Sequence, residues 1–155
     1  MIDDAIKALA KAKNFAVLTT LLPSGQPQSQ VMWVDADDEH ILINTELHRQ
    51  KFKNIELDPR ATVTIVRADN PYSYAEVRGK VVEIVRGEAA RAHIDELSQK
   101  YQGRPYGAEI QSERVIVKIA PDRQNRPLAG ATSSGSGQRA DRNSSSLSQL
   151  GDRAA

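Results

Sequence analysis

The chain has 155 residues, 39% hydrophobic and 26% charged, with 21 Lys and Arg against 20 Asp and Glu; this suits one domain with one core and gives no long-range field to draw nucleic acid or an anionic membrane. It has no cysteine, which excludes disulfides, thiolate catalysis and cysteine-based zinc sites and suits a reducing compartment. Neither a run of about 18 apolar residues nor a basic, then apolar, leader occurs, so a soluble cytoplasmic protein with no membrane partner is expected.

Ile2, Ala5, Ile6 and Leu9 recur at helical spacing behind Asp3 and Asp4, predicting an amphipathic helix over 2–12. The period then changes. Phe15 to Leu22, Gln28 to Val34 and Ile41 to Thr45 read as strands joined by Pro23-Ser24-Gly25-Gln26-Pro27 and Asp35-Ala36-Asp37-Asp38-Glu39, which predicts two consecutive hairpins. A basic helical segment runs from Thr45 to Asn54 and stops at Asp58-Pro59-Arg60, after which Ala61 to Arg67 is a fourth strand.

From Tyr74 to Val85 the inward set runs Ala75, Val77, Gly79, Val81 and slips to Val82, Ile84, as a bulge or bend near Gly79 would produce. Gly87-Glu88 opens a helix with Ala90, Ile94, Leu97 and Tyr101 on one stripe, ended by Gly103 and Pro105, and Val115, Val117 and Ile119 make a last strand. Most connections are too short for parallel crossovers. The expectation is a mainly β fold with helices (α+β), a six-stranded antiparallel barrel over 1–127. The Ser- and Gly-rich text of 128–155 lacks an aromatic residue and is predicted to be a disordered tail. Its Arg139, Arg142 and Arg153 are interspersed with Asp141 and Asp152, which disfavours a nucleic-acid role.

Within the basic segment, Leu47, Lys51 and Ile55 fall on one helical row beside Phe52, while Arg49 and Lys53 point away. Lys51 therefore shares the apolar side. Arg49 and Lys51 also sit in the first helical turn, where the macrodipole disfavours cations unless an anion is present. Two readings stand: a phosphate held by Arg49 and Lys51, or a lysine snorkelling along apolar neighbours to solvent. Asn54 either meets a sugar hydroxyl or faces water.

Gln28, Ser29 and Gln30 ahead of Val31 are either polar groups reading a planar heterocycle or the outward face of a barrel edge. Trp33 reads as core or dimer interface, and Tyr72 as a ring-flanking side chain or, more simply, a lid on the core. Asp35, Asp37, Asp38 and Glu39 lack calcium-loop spacing, and His40, His48 and His93 lack ligand spacing, so no metal is expected. No Gly-x-Ser-x-Gly elbow, Gly-x-Gly-x-x-Gly or Walker loop occurs, so a hydrolase is disfavoured and a nucleotide-like cofactor would need another kind of site.

Taken in order, Phe15-Ala16-Val17-Leu18-Thr19-Thr20, Gly25-Gln26-Pro27-Gln28, Arg49-x-Lys51-x-x-Asn54, Asp58-Pro59-Arg60-Ala61, Tyr72-Ser73-Tyr74 with Gly79 after it, and Glu113-Arg114-Val115 carry a resemblance. From about residue 5 to about residue 123 the chain resembles the pyridoxamine 5′-phosphate oxidase-like split β-barrel proteins, and within them the deazaflavin (coenzyme F420)-dependent oxidoreductases. The resemblance implies an FMN-binding split barrel fold and a homodimer with cofactor sites at the interface. Arg49, Gln50 and Lys51 would take the cofactor phosphate, Thr45 and Asn54 the ribityl chain, and Gln28, Ser29, Gln30 and Val31 the ring edge; Tyr72 would close the pocket. The implied chemistry is hydride transfer between the reduced deazaflavin and a small quinone, enone or tetrapyrrole-like compound, with no catalytic side chain demanded. Because Pro121-Asp122-Arg123-Gln124 and the tail stand where the vitamin-making oxidases carry their C-terminal binding segment, pyridoxamine phosphate oxidation is disfavoured. An FMN flavoprotein and a non-catalytic F420 carrier remain as alternatives.

Overall fold

The computed structural model describes residues 1–127; the tail expected over 128–155 lies outside the described residues. The elements in chain order are α1 (Asp4–Lys11), β1 (Phe15–Leu21), β2 (Pro27–Met32), β3 (Asp35–Ala36), β4 (Ile41–Glu46), α2 (Gln50–Leu57), β5 (Arg60–Arg67), β6 (Asn70–Val85), α3 (Glu88–Gln102) and β7 (Arg114–Asn125). The predicted strands all form, and a two-residue seventh, β3, appears where only a turn was expected.

Every strand pairing is antiparallel, in the order β2-β1-β5-β6-β7-β4-β3. The strands at the two edges, β2 and β3, are neighbours in sequence, separated only by Trp33 and Val34. Three residue steps span at most ~11 Å, so the sheet curls until its edges nearly meet. This is a split barrel, and its interior holds Ala16, Leu18, Met32, Ile41, Ile43, Val63, Ile65, Val77, Val115 and Ile119, closed on one side by Ile6 of α1 and by Ile2 just before it.

The curling corrects the second predicted hairpin. β4 pairs with β3 and β7, not with β2, because the apolar run through Val34 breaks at Trp33. Trp33 leaves the sheet to stack on Tyr101 of α3, with ring centroids 5.2 Å apart and planes 4° from parallel. The buried Tyr101 hydroxyl accepts from the Val34 amide at 3.1 Å and donates to the Asn14 carbonyl. Trp33 is thus core, in a second cluster with Ile94, Leu97 and Tyr106. Tyr101→Phe is expected to cost about 1–3 kcal/mol, since it strands a buried amide and a buried carbonyl; urea denaturation would measure it.

The slip in β6 also differs in detail. The β6–β7 register shifts between Arg78 and Gly79, as predicted, and again between Val81 and Glu83. Val82 is the residue left out of the ladder and is 57% exposed, while Val81 and Ile84 pack on the core. The inward sequence is therefore Val81, Ile84, without Val82.

Candidate functional site

The residues of β4 are buried throughout, and the chain leaves this strand through Leu47 and His48 into α2. Arg49 is the N-cap of α2 and supplies no side-chain hydrogen bond, and the first turn holds no acidic residue. In α1, by contrast, Asp3 accepts from the amides of Ala5 and Ile6. The positive end of α2 is thus left without a carboxylate of its own.

Lys51 is only 4% exposed, on the inward row that its spacing predicted, and Lys53 is exposed. Arg49 departs from the expectation that it points away with Lys53. Its backbone is extended, at φ −69° and ψ 143°, so helical geometry does not govern its direction. The side chain turns back so that Nη2 lies 3.9 Å from the Glu46 carboxylate.

Glu46 is 1% exposed. Its Oε1 accepts from the amides of Gln111 and Ser112 at 2.8 and 2.9 Å, and its Oε2 lies 3.6 Å from Nη1 of Arg114. Arg114, directly across the β4–β7 ladder from Glu46, is equally buried, with its guanidinium carbon 5.2 Å from the centre of the Tyr106 ring. Arg49 and Arg114 therefore converge on one buried carboxylate, and the Lys51 ammonium lies close enough to feel both guanidinium charges. Burial first, then the Arg49 and Arg114 charges, pull the Lys51 ammonium from 10.5 down to about 8. Arg49 Nε, Thr45 Oγ1 and both Arg114 Nη nitrogens are buried with no hydrogen-bond partner among the described residues. Excess positive charge and orphaned donors fit an anionic, hydroxyl-bearing ligand.

A second group of predicted residues meets one turn further along α2. The fully buried Asn54 accepts from Gln50 Nε2 at 2.8 Å and donates to Thr20 Oγ1 and Gln28 Oε1, both at 3.0 Å. Asn54 thus ties α2 to β1 and β2 and holds the Gln28 amide in place. Ser29 and Thr19 share a 2.8 Å hydroxyl contact, and Ser29, Gln30 and Val31 are exposed on the edge strand. Beside Thr20 opens a cavity of about 380 Å³ lined by Thr19, Thr62, Arg60, Arg78 and Lys80 among others. His48 is exposed and touches Ser112 Oγ at 2.7 Å.

Tyr72 is not brought to this group. It is 86% exposed, which overturns its reading as a lid on the core, because it stands at the start of β6, next to the turn after β5, with its side chain in solvent. Tyr74 pairs with Val66, and Val66 with Phe15, at the end of β1 opposite Thr20; five residues of strand put roughly 17 Å between the two ends. Tyr72 instead lines a cavity of about 680 Å³ with Leu9, Asn14, Arg67 and Tyr74.

The profile of the pyridoxamine 5′-phosphate oxidase family matches residues 2–125. The chain belongs to this family. A solved structure named F420 reductase superposes with a TM-score of 0.69 at 29% identity, covering 80% of this chain and 98% of that one. A conserved hypothetical protein from Mycobacterium tuberculosis gives 0.62 at 26% identity, covering 81% and 84%. A putative pyridoxamine 5′-phosphate oxidase from Listeria innocua gives 0.61 at 21% identity, covering 80% and 96%, a likeness of fold. Among curated proteins no sequence match is found. Family membership supports a flavin- or deazaflavin-type oxidoreductase fold. Among the described residues, no helix is long and apolar enough to cross a membrane.

Glu46 and Arg114 were missing from the predicted site. Arg114 belongs to one of the strings that carry the resemblance, yet only the β4–β7 register brings it to α2.

Proposed function

We propose that this protein is an F420-dependent oxidoreductase that binds the deazaflavin phosphate at the start of α2. The observation that carries the proposal is the convergence there of buried Lys51 and Arg114 with half-buried Arg49, whose Nε and the two Arg114 Nη nitrogens are buried without hydrogen-bond partners among the described residues. A phosphate would pair with these cations and accept from the donors left orphaned. The 29% identity to a protein named F420 reductase, over nearly all of its length, favours the deazaflavin over FMN, which carries the same ribityl phosphate.

In this reading Arg49, Gln50 and Lys51 hold the phosphate and Thr45 offers its unpartnered hydroxyl to the ribityl chain. Asn54 contributes chiefly by fixing Gln50 and Gln28. Gln28, Ser29, Gln30 and Val31 flank the ring edge. Tyr72 is too far away to close the pocket of its own chain, so that role requires a homodimer in which the partner subunit's Tyr72 reaches across. The chemistry supplied when the cofactor is bound is hydride transfer at C5 with a small quinone, enone or tetrapyrrole-like acceptor. The protein binds, orients and excludes water, and no side chain is asked to move a proton.

Separate fluorescence titrations with F420 and FMN test the cofactor. Tight F420 binding with weak or no FMN binding is expected, and micromolar FMN binding without an F420 response would overturn the choice. Reduced F420 offered with a panel of acceptors then separates enzyme from carrier, since a carrier leaves the cofactor's absorbance unchanged.

A further inference from the structure

Behind Arg114 runs a buried chain of polar side chains that the proposed function does not use. Arg114 Nε donates to Asn44 Oδ1 at 2.8 Å. The Asn44 amide nitrogen lies 3.0 Å from the Ala90 carbonyl and 3.1 Å from His93 Nδ1. His93 Nε2 lies 3.0 Å from Asp35 Oδ2. Asn44 is 2% exposed and His93 6% exposed.

The orientation of each group follows from its neighbours. Arg114 Nε can only donate, so it must face the oxygen of Asn44; the Ala90 carbonyl can only accept, so it must face the nitrogen. That nitrogen then points a hydrogen at His93 Nδ1, which must accept. The His93 proton therefore sits on Nε2 and is donated to Asp35. Burial alone would raise the Asp35 carboxyl, but hydrogen bonds from His93 and the Ala36 amide and the charge of Lys11 outweigh it and hold it at about 2. Asp35 is thus a stable acceptor at the outer end of the relay.

We propose that Asn44 and His93 are positioning residues that hold Arg114, through the Asp35–His93–Asn44 relay, as the third cation of the anion site, with its two Nη nitrogens presented to the bound phosphate. This rests on the reading of α2 as a phosphate site. Among the described residues those nitrogens are buried without hydrogen-bond partners, and the carboxylate beside them, Glu46, stands at 3.6 Å. Placing a proton on His93 Nδ1 would force the Asn44 amide to turn. Its nitrogen would then oppose Arg114 Nε and its oxygen the Ala90 carbonyl, so the Arg114 fork would lose its support. The charged groups around the relay are Asp35, which also pairs with Lys11 at 3.2 Å, and Arg114 and Glu46. Arg91 of α3 and Lys100, which feels Asp35, lie further out.

The test combines F420 titrations with long-range nitrogen–proton NMR of the histidine rings in the full chain. Wild type should show the His93 proton on Nε2, with Nδ1 accepting from Asn44. Arg114→Gln and Asn44→Leu should each weaken F420 binding about tenfold or more, and the double variant should lose little beyond either one. A His93 proton on Nδ1 in wild type, wild-type affinity in Arg114→Gln, or additive losses would overturn the inference. The NMR readout is taken on wild type, so the inference stays falsifiable even where a variant does not fold. Lys51→Ala separates the two levels. If it weakens binding and Arg114→Gln does not, the relay fails and the α2 site stands. If Arg114→Gln alone weakens binding, α2 has been misread and Arg114 serves another anion. No F420 or FMN binding by wild type overturns both.

Discussion

Replacing Lys51 by methionine is expected to make the ligand-free protein more stable at pH 7 and to remove most of its affinity for a phosphate-bearing cofactor. Folding moves this ammonium from water into a site where it is 4% exposed, beside Arg49 and Arg114. The resulting drop from 10.5 to about 8 corresponds to about 3 kcal/mol held against the charged form. Methionine follows nearly the same path, fills the same space and forms helix well, without that cost.

The pH dependence fixes the sign. Below pH 8 the lysine is charged in both the folded and unfolded chain, and the full penalty applies. Between about 8 and 10.5 the unfolded chain keeps a proton that the folded one has released, so wild-type stability rises with pH relative to the variant. The advantage of Lys51→Met should therefore be largest near neutrality and shrink above pH 8. Cofactor affinity should run the other way: lost by about 1.5–3 kcal/mol in the variant at pH 7, and declining in wild type as Lys51 deprotonates. Thermal melts across pH, with and without cofactor, read both. A less stable variant that binds as well as wild type would overturn the reading of Lys51 as a phosphate ligand.

Much of this site was legible in the sequence because it obeys local periodicity. The step from Lys51 to Ile55 requires only that the segment be helical there, and α2 runs from Gln50 to Leu57; Leu47, which the expected helix over 45–54 included, instead lies in the turn after β4 and still packs on the core. Arg49 escaped because the N-cap is where helical periodicity stops. Glu46 and Arg114 escaped for a different reason: they meet only when β7 pairs with β4, a register set by the whole barrel. The second hairpin was misread on similar grounds. Nothing between Val31 and Val34 resembles a turn, and the chain bends there because Trp33 finds Tyr101 and the Val34 amide finds its hydroxyl. Val82 was assigned inward because alternation alone cannot tell which residue of a bulged strand drops out of the ladder. Patterns of period two and 3.6 thus recover the elements, while the contacts between them decide which charges end up together.

Gly79→Ala is expected to be the most damaging small substitution in the barrel. A Cβ at this position would lie 2.0 Å from the Ala120 carbonyl oxygen, 2.9 Å from its carbon and 3.2 Å from Ile119 Cγ2. The obstacle is backbone, so no rotamer change relieves it. Gly79 is also tied on its other side to Ala61 of β5, and β6 cannot retreat without opening that ladder. The site coincides with the register shift at which Gly79 faces Pro121, a residue with no amide to give the ladder. Close approach of the two strands, rather than a left-handed backbone, is what requires glycine here. A loss of more than about 3 kcal/mol, or failure to fold, is expected. Gly107→Ala is the matched control, since nothing lies within 4 Å of its added carbon, and it should change stability by no more than about 0.5 kcal/mol. Urea midpoints for the two variants decide the matter. If Gly79→Ala unfolds within about 1 kcal/mol of wild type, β6 and β7 do not cross as closely as described, and the curl of the sheet must be produced elsewhere.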